Sequence, residues 1–131
     1  MSNEFTDDNY PLQEITGKII GIGIQVHKIL GAGFLEIVYK DAFEYELTTN
    51  QMFFEREKEF QIGYKDIILK HKFYADFIIF ENVILEIKAK EGGIVEEDYA
   101  QVINYLKCLG CKVGLILNFA KLKLEIKRVI Y

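Results

Sequence analysis

The 131-residue chain holds one proline, two cysteines and two histidines, and its basic residues do not outnumber its acidic ones. It also lacks any long apolar run, and each shortage removes a class of protein. Crossing a bilayer takes about 20 consecutive apolar residues. The longest candidate, Ile19 to Ile24, is short and broken by Gly21 and Gly23. Met1 to Tyr10 is polar and acidic, without the basic-then-apolar order of a secretory leader, so a soluble, cytoplasmic protein with no membrane partner is expected. The two cysteines, Cys108 and Cys111, are spaced C-x-x-C. Zinc would need two further ligands, and His27 and His71 are far off in sequence and not spaced as a pair. A redox pair normally opens a helix, where the positive end lowers the thiol pKa. This pair follows a helical segment and flanks Gly110, so two packed thiols at a helix–strand junction are expected.

Sixteen Lys and Arg against twenty Asp and Glu leave a formal net charge of −4. Proteins that clamp long stretches of duplex draw their affinity from phosphate neutralisation and are usually basic. Any nucleic-acid contact here must therefore be local, metal-assisted, or supplied by a partner; a homodimer would enlarge the surface that one small acidic domain offers. Lys65, Lys70 and Lys72, and later Lys121, Lys123, Lys127 and Arg128, cluster loosely and read as solvated faces.

Half of the residues are hydrophobic, 14% are aromatic and 27% are charged, an ordinary globular balance. A chain of this length buries about two-thirds of its unfolded surface, so residues 12–131 are read as a single domain behind a flexible N-terminus at residues 1–11. From Leu12 to Leu30, the apolar residues Ile15, Ile19, Ile22, Val26 and Ile29 recur in alternating four- and three-residue steps, the stripe of an amphipathic helix. Gly31-Ala32-Gly33 interrupts it. A second helix follows, with Leu35, Val38, Ala42 and Tyr45 on one side, ending near Thr49-Asn50. From Phe53, aromatic and β-branched residues alternate with charged ones in a strand through Phe60, Ile62 and Tyr64, which turns at Lys65-Asp66 into Ile67–Leu69. Phe73 to Phe80 and Val83 to Ala89 are two more apolar strands, and their near-continuous hydrophobicity implies a sheet covered on both faces. Ile94 to Leu109 returns to helical spacing and stops at Gly110. Val113 to Phe119 reads as a buried strand and Leu122 to Tyr131 as an edge strand. This order describes an α/β fold in which a mixed β-sheet is flanked by α-helices.

Charge interrupts two of these strands. Burying an unpaired carboxylate costs several kcal/mol unless a counter-charge, hydrogen bonds or a metal compensates. Asp76 stands inside Phe73–Phe80, and Glu86 and Lys88 stand inside Val83–Ala89. Glu86 and Lys88, two apart, share a face of their strand. Asp76 joins that face when the hairpin pairs residue numbers that sum to an even value, as a three-residue loop such as Phe80–Asn82 does. A strict two-residue turn would separate them. Together, Asp76, Glu86 and the backbone carbonyl of Ile87 offer hard oxygen ligands to Mg²⁺ or Mn²⁺. Such a metal polarises a phosphate and lowers the pKa of a bound water, while Lys88 can hold that water or stabilise developing charge. The alternative is an ordinary Glu–Lys pair at a strand end with Asp76 as a turn residue. Glu36, one turn before Lys40, and Gln101 with Tyr105, which share a helix face, are the other candidates.

Gly33-Phe-Leu-Glu36-Ile-Val-Tyr39 matches G-x-x-E-x-x-Y, and through it the chain resembles the GxxExxY protein family of the PD-(D/E)XK nuclease-like superfamily. Val26-His27, Leu30-Gly31, Ala75-Asp76, Leu85-Glu-Ile-Lys-Ala89, Ala100-Gln101, Asn104-Tyr105-Leu106, Gly114 to Phe119 and Lys127-Arg128 extend the likeness in order from about Ile15 to the C-terminus. The resemblance implies a restriction-endonuclease-like core with Asp76, Glu86 and Lys88 as the PD-(D/E)XK site. It further implies Glu36 as the helix carboxylate that completes such sites and Gln101 as the polar residue bordering them. Two positions depart from the family pattern: Tyr74 stands where arginine is common, and Asp98 where histidine is common. His27 fits the pattern but sits beside a core stripe, where a structural role is expected. The expected activity is metal-dependent hydrolysis of phosphodiester bonds in nucleic acid, with DNA the expected form. The competing expectation is a non-catalytic nucleic-acid-binding or assembly module that keeps the fold.

Overall fold

The computed structural model of the protein describes residues 12–131; the N-terminus at residues 1–11 lies outside the described residues. The chain forms helices α1 (Gln13–Leu30) and α2 (Glu36–Thr49), then strands β1 (Phe54–Tyr64), β2 (Ile67–Ile79) and β3 (Val83–Lys88). Helix α3 (Glu96–Leu109) and strands β4 (Val113–Asn118) and β5 (Glu125–Ile130) complete it. The five strands make one sheet in the order β1-β2-β3-β4-β5. Its β3–β4 pair is parallel and joined through α3, and the other pairs are antiparallel. None of the helices among the described residues is long and apolar enough to cross a membrane.

The alternation of β3 and β4 decides the layers. Val83, Leu85 and Ile87 with Leu115 and Leu117 pack under α1 and α2, against Ile19, Ile22, Val26, Tyr39, Phe43 and Leu47. Ile84 and Ile116 project to the other face, where Val102, Tyr105 and Leu106 of α3 cover them. These central strands are covered on both sides, as their unbroken hydrophobicity requires. The outer half of β2 is not: from Ile67 to Lys72 it is exposed, running with β1 as a two-stranded arm. The segments Ile67–Leu69 and Phe73–Phe80, separate in the sequence reading, thus belong to one long strand.

Two helical faces differ from expectation. In α1 the stripe ends at Val26, because Ile29 lies 69% exposed beyond the edge of the sheet-facing surface. In α2 the buried side is Tyr39, Phe43 and Leu47; of the expected stripe, Val38 and Ala42 are half-buried, with Ala42 against the core, and Leu35 and Tyr45 are exposed. Both sides of α2 carry apolar residues at helical spacing, and only the direction in which the Gly31–Leu35 connection sets the helix down selects between them. The stop after α3 follows from Gly110, which takes the left-handed conformation at φ 71° and donates its N–H to the Leu106 carbonyl. The thiols at that junction are not alike: Cys111 is buried and Cys108 is exposed. The correct α2 face is testable by urea denaturation. Phe43→Ala should cost about 3–5 kcal/mol as a fully buried aromatic truncation, and Tyr45→Ala should stay within about 0.5 kcal/mol.

Candidate active site

The β2–β3 hairpin closes with a three-residue loop, Phe80–Asn82, and pairs Ile79 with Val83, Ile78 with Ile84 and Phe77 with Leu85. The next pair outward is Asp76 and Glu86. There the ladder stops, and the strands part like a fork: β2 continues beside β1, and β3 beside β4. Backbone N–H groups turned into such a gap are buried and need acceptors. The two carboxylates supply them. The Asp76 N–H donates to Glu86 Oε2 at 2.8 Å, and the Ile87 N–H donates to Asp76 Oδ2 at 2.8 Å. Asp76 and Glu86 are both almost fully buried.

A lysine outside the expected set enters the same space. Lys40 of α2 places Nζ 2.9 Å from Asp76 Oδ1, 3.3 Å from Glu36 Oε2 and 3.5 Å from Glu57 Oε2. Burial opposes the Lys40 charge. The hydrogen bond and negative charge of Asp76, helped by Glu36 and Glu57, outweigh it and raise the lysine pKa above its ordinary value. Glu86 goes the other way for a carboxylate. Burial first, then the charge of Asp76, push it up to about 8, against the pull of the Asp76 N–H, Lys88 and Lys40. Tyr105 beside the pair is pushed up to about 12 by burial and by the charges of Glu86 and Asp76, so its phenol stays protonated.

Lys88, two residues after Glu86, points toward α3. Its Nζ donates to Gln101 Oε1 at 3.4 Å and lies 3.9 Å from Asp98 Oδ1. Asp98 serves α3 as well, since its Oδ2 accepts the Val95 N–H at 2.9 Å and pairs with Lys90 Nζ at 2.7 Å. Burial raises the Asp98 pKa, but Lys90, the Val95 N–H and Lys88 together hold it below the usual value. The Lys90 backbone is clamped in turn by the fully buried Asn118, whose Oδ1 accepts the Lys90 N–H and whose Nδ2 donates to the Lys90 carbonyl, both at 2.9 Å.

The expected residues are therefore arranged as follows. Asp76 and Glu86 share the fork, Ile87 donates its N–H to Asp76, and Lys88 reaches Gln101 at the α3 rim. Glu36 is separated from Asp76 by the Lys40 ammonium. The residues alone took Lys40 no further than a neighbour of Glu36 four positions away, a pair that forms at 3.3 Å, and placed Asn118 only within the matched Gly114–Phe119 segment. The G-x-x-E-x-x-Y segment is built around its ends. Gly33 sits at φ 112°, which side-chain-bearing residues rarely adopt, and the Tyr39 hydroxyl donates to the Gly31 carbonyl at 2.6 Å. Tyr39 also stacks on Phe119 with ring centroids 4.5 Å apart. His27 Nε2 meets the Lys121 carbonyl at 2.8 Å and is structural in this arrangement.

Among the described residues, no group of three or more His, Cys, Asp or Glu side chains is disposed to hold a metal ion. Two carboxylates side by side nevertheless match the chemistry of a hard divalent cation. Each uses one oxygen on a backbone N–H; the second oxygen of Asp76 meets Lys40, which a cation would have to displace, and burial with the Asp76 charge disfavours an ionised Glu86.

A fork of this kind, in a mixed sheet between helices and with the sequence Asp…Glu-x-Lys across it, defines a nuclease-like class of protein. The family model of the PD-(D/E)XK nuclease superfamily matches residues 13–129, and the chain belongs to that superfamily. Among the described residues, its mixed five-stranded sheet with three helices is the restriction-endonuclease-like fold. Among solved structures, the crystal structure of SSO0001 is similar, with a TM-score of 0.60 at 20% identity over 72% of this chain and 50% of that one. At that identity the likeness shows the fold alone, and this chain spans about half the length of that protein. Nothing among the curated proteins matches.

Two outcomes follow in the presence of a chelator. Glu86 keeps its proton up to about pH 8 when folded but only to about its ordinary 4.5 when unfolded. The folded state then binds more protons between those values, so stability should fall as pH rises through that window, and Glu86→Gln should flatten the fall in urea titrations. Lys40→Met should destabilise by about 3 kcal/mol by leaving Asp76 without its counter-charge. Adding Asp76→Asn should recover more than half of that loss.

Proposed function

We propose that the protein is a metal-dependent nuclease, a GxxExxY-family member acting in the cytoplasm, that hydrolyses phosphodiester bonds in nucleic acid, with DNA the expected substrate. The observation that carries this reading is the pair of nearly fully buried carboxylates, Asp76 and Glu86, joined through backbone N–H groups and flanked on the same strand by Lys88. Asp76, Glu86 and the Ile87 carbonyl would hold Mg²⁺ or Mn²⁺. When bound, the cation supplies Lewis acidity toward the phosphate and a water of lowered pKa.

The remaining work belongs to the chain's own residues. Lys88 lies at the open side of the pair, where its ammonium can position a water and meet negative charge developing on the phosphate. Gln101, accepting from Lys88 Nζ, aims it. Glu36 receives Lys40 when that ammonium leaves Asp76 Oδ1, since it already lies 3.3 Å away. Lys90 offers a second cation on the α3 side.

One observation favours a second reading, a binding or assembly module without turnover. Lys40 already neutralises Asp76, so the fork is self-sufficient as a folded element. Thermal unfolding with Mn²⁺ separates the two: a nuclease site should be stabilised in the wild type and not in Glu86→Ala, whereas a module shows no shift in either. Cleavage of single- and double-stranded DNA and RNA with Mg²⁺ or Mn²⁺ should fall by about a hundredfold or more in Glu86→Ala and in Lys88→Ala, the scale for losing a preorganised charge-stabilising group. Activity that persists in both variants refutes the assignment.

A further inference from the structure

The β1–β2 hairpin changes faces next to the fork. Phe54 and Phe77 belong to the α1/α2 side, whereas Phe60, Phe73 and Ala75 belong to the α3 side, although regular alternation would keep Phe54 with Phe60 and Phe73 with Phe77. The switch falls at Glu57, whose φ of 55° is left-handed, and at Asp76 across from it, the one position between Phe54 and Gln61 where the ladder skips a pair. Its consequence is an aromatic wall leaning toward α3. Phe60 and Phe73 stack with centroids 5.7 Å apart, and Tyr105 meets Phe60 edge-on at 4.9 Å.

Between this wall and α3 lies a cleft of about 320 Å³, lined on the helix side by Glu97, Gln101 and Asn104. The volume is at the small end for ligand pockets and suits one planar ring system. Its strand side is Phe60, Phe73 and Ile62, and its helix side sets the Gln101 and Asn104 carboxamides beside Ala100 and Cys108. Asn104 makes no side-chain hydrogen bond with a described residue, so a donor and an acceptor remain available for a ligand edge. Glu97 is the single charged residue in the lining and repels a phosphate. Gln101 belongs both to the cleft and, through its 3.4 Å bond, to Lys88. A ring in the cleft therefore lies next to a cation that can hold the phosphate attached to it.

We propose that this cleft is a nucleobase subsite: it takes one unpaired base of a nucleic-acid strand, stacked on Phe73, which Phe60 backs, and met at its edge by Asn104 and Gln101, with the adjoining phosphate toward Lys88. The subsite deepens the nuclease reading and rests on it for the direction of the strand. A base inside a duplex enters only after it is unstacked and unpaired, at a cost of about a few kcal/mol. Single-stranded, flapped or gapped nucleic acid is thus the favoured ligand class.

The test is fluorescence anisotropy in chelator, which scores binding and not cleavage, using a labelled single-stranded oligonucleotide, the same strand as a blunt duplex, and an abasic strand of equal length. The single strand should bind at least about fivefold tighter than the abasic strand, the lower bound for one base stacked on an aromatic ring. Phe73→Leu should erase that preference, and Phe73→Tyr, which restores a stacking surface, should keep it. Circular dichroism of Phe73→Leu controls for folding, and Asn104→Leu, an exposed change, should weaken base-bearing strands alone. Equal binding of base-bearing and abasic strands, duplex binding as tight as single-strand binding, no binding at all, or a free nucleoside monophosphate competing as well as the oligonucleotide would each overturn the proposal. Because cleavage is not measured, an active nuclease that ignores bases sinks the subsite alone, and a base-selective protein that never cleaves sinks only the nuclease reading.

Discussion

Two backbone N–H groups and two carboxylates at the β2–β3 fork hold the rest of the molecule in place. Where the strands part, the Asp76 and Ile87 amides lose the ladder partners that continued pairing would have given them, and an unsatisfied buried donor costs about 1–3 kcal/mol. Glu86 and Asp76 each close one of these gaps from the opposite strand. Each acid therefore uses one oxygen to complete the backbone, and the other Asp76 oxygen meets Lys40. These bonds let two carboxylates persist in the interior of an apolar sheet, although burial and the charge of Asp76 still raise the Glu86 pKa. The fork also sets the direction of everything downstream. Lys88 leaves the fork toward α3, and the β1–β2 arm leaves it on the other side.

The balance of positive charge around the fork is distributed over three elements. Lys40 comes from α2, Lys88 from β3, and Lys90 from the loop that Asn118 clamps. Set against the GxxExxY resemblance, Tyr74 and Asp98 stand where an arginine and a histidine are common. In space, Asp98 gathers Lys88 and Lys90 beside the carboxylates, and Lys40 supplies a third ammonium. A chain with a net charge of −4 thus places three ammonium groups beside the fork, each held by a carboxylate.

The face change at Glu57 and Asp76 links the fork to the aromatic cleft. A left-handed residue other than glycine costs about 1–2 kcal/mol, and here the compensation is visible. The inner hairpin covers the α1/α2 core with Phe77, while the outer hairpin turns Phe60 and Phe73 onto Tyr105. One distorted position exchanges the faces of the outer hairpin and so brings both of its aromatic rings to the α3 side.

Much of this was legible in the residues alone. The helices, the buried strands, the stop at Gly110 and the charged interruptions at Asp76, Glu86 and Lys88 follow from hydrophobic period and from the cost of burying charge, both of which act locally. The α2 face was not legible, because Leu35 and Tyr45 carry the same period as Tyr39 and Phe43, and nothing within the helix distinguishes them. Nor was the Lys40 pair, since it joins residues 36 positions apart that meet only after α2 is laid across the fork. The periodicity of 2 likewise predicts a regular hairpin, whereas the switch at Glu57 depends on which helix lies over each half. The sequence by itself determined which residues had to be buried and which charges would need partners. Only the tertiary structure decided who those partners are, because a counter-charge, like a cleft, is made by elements arriving from distant parts of the chain.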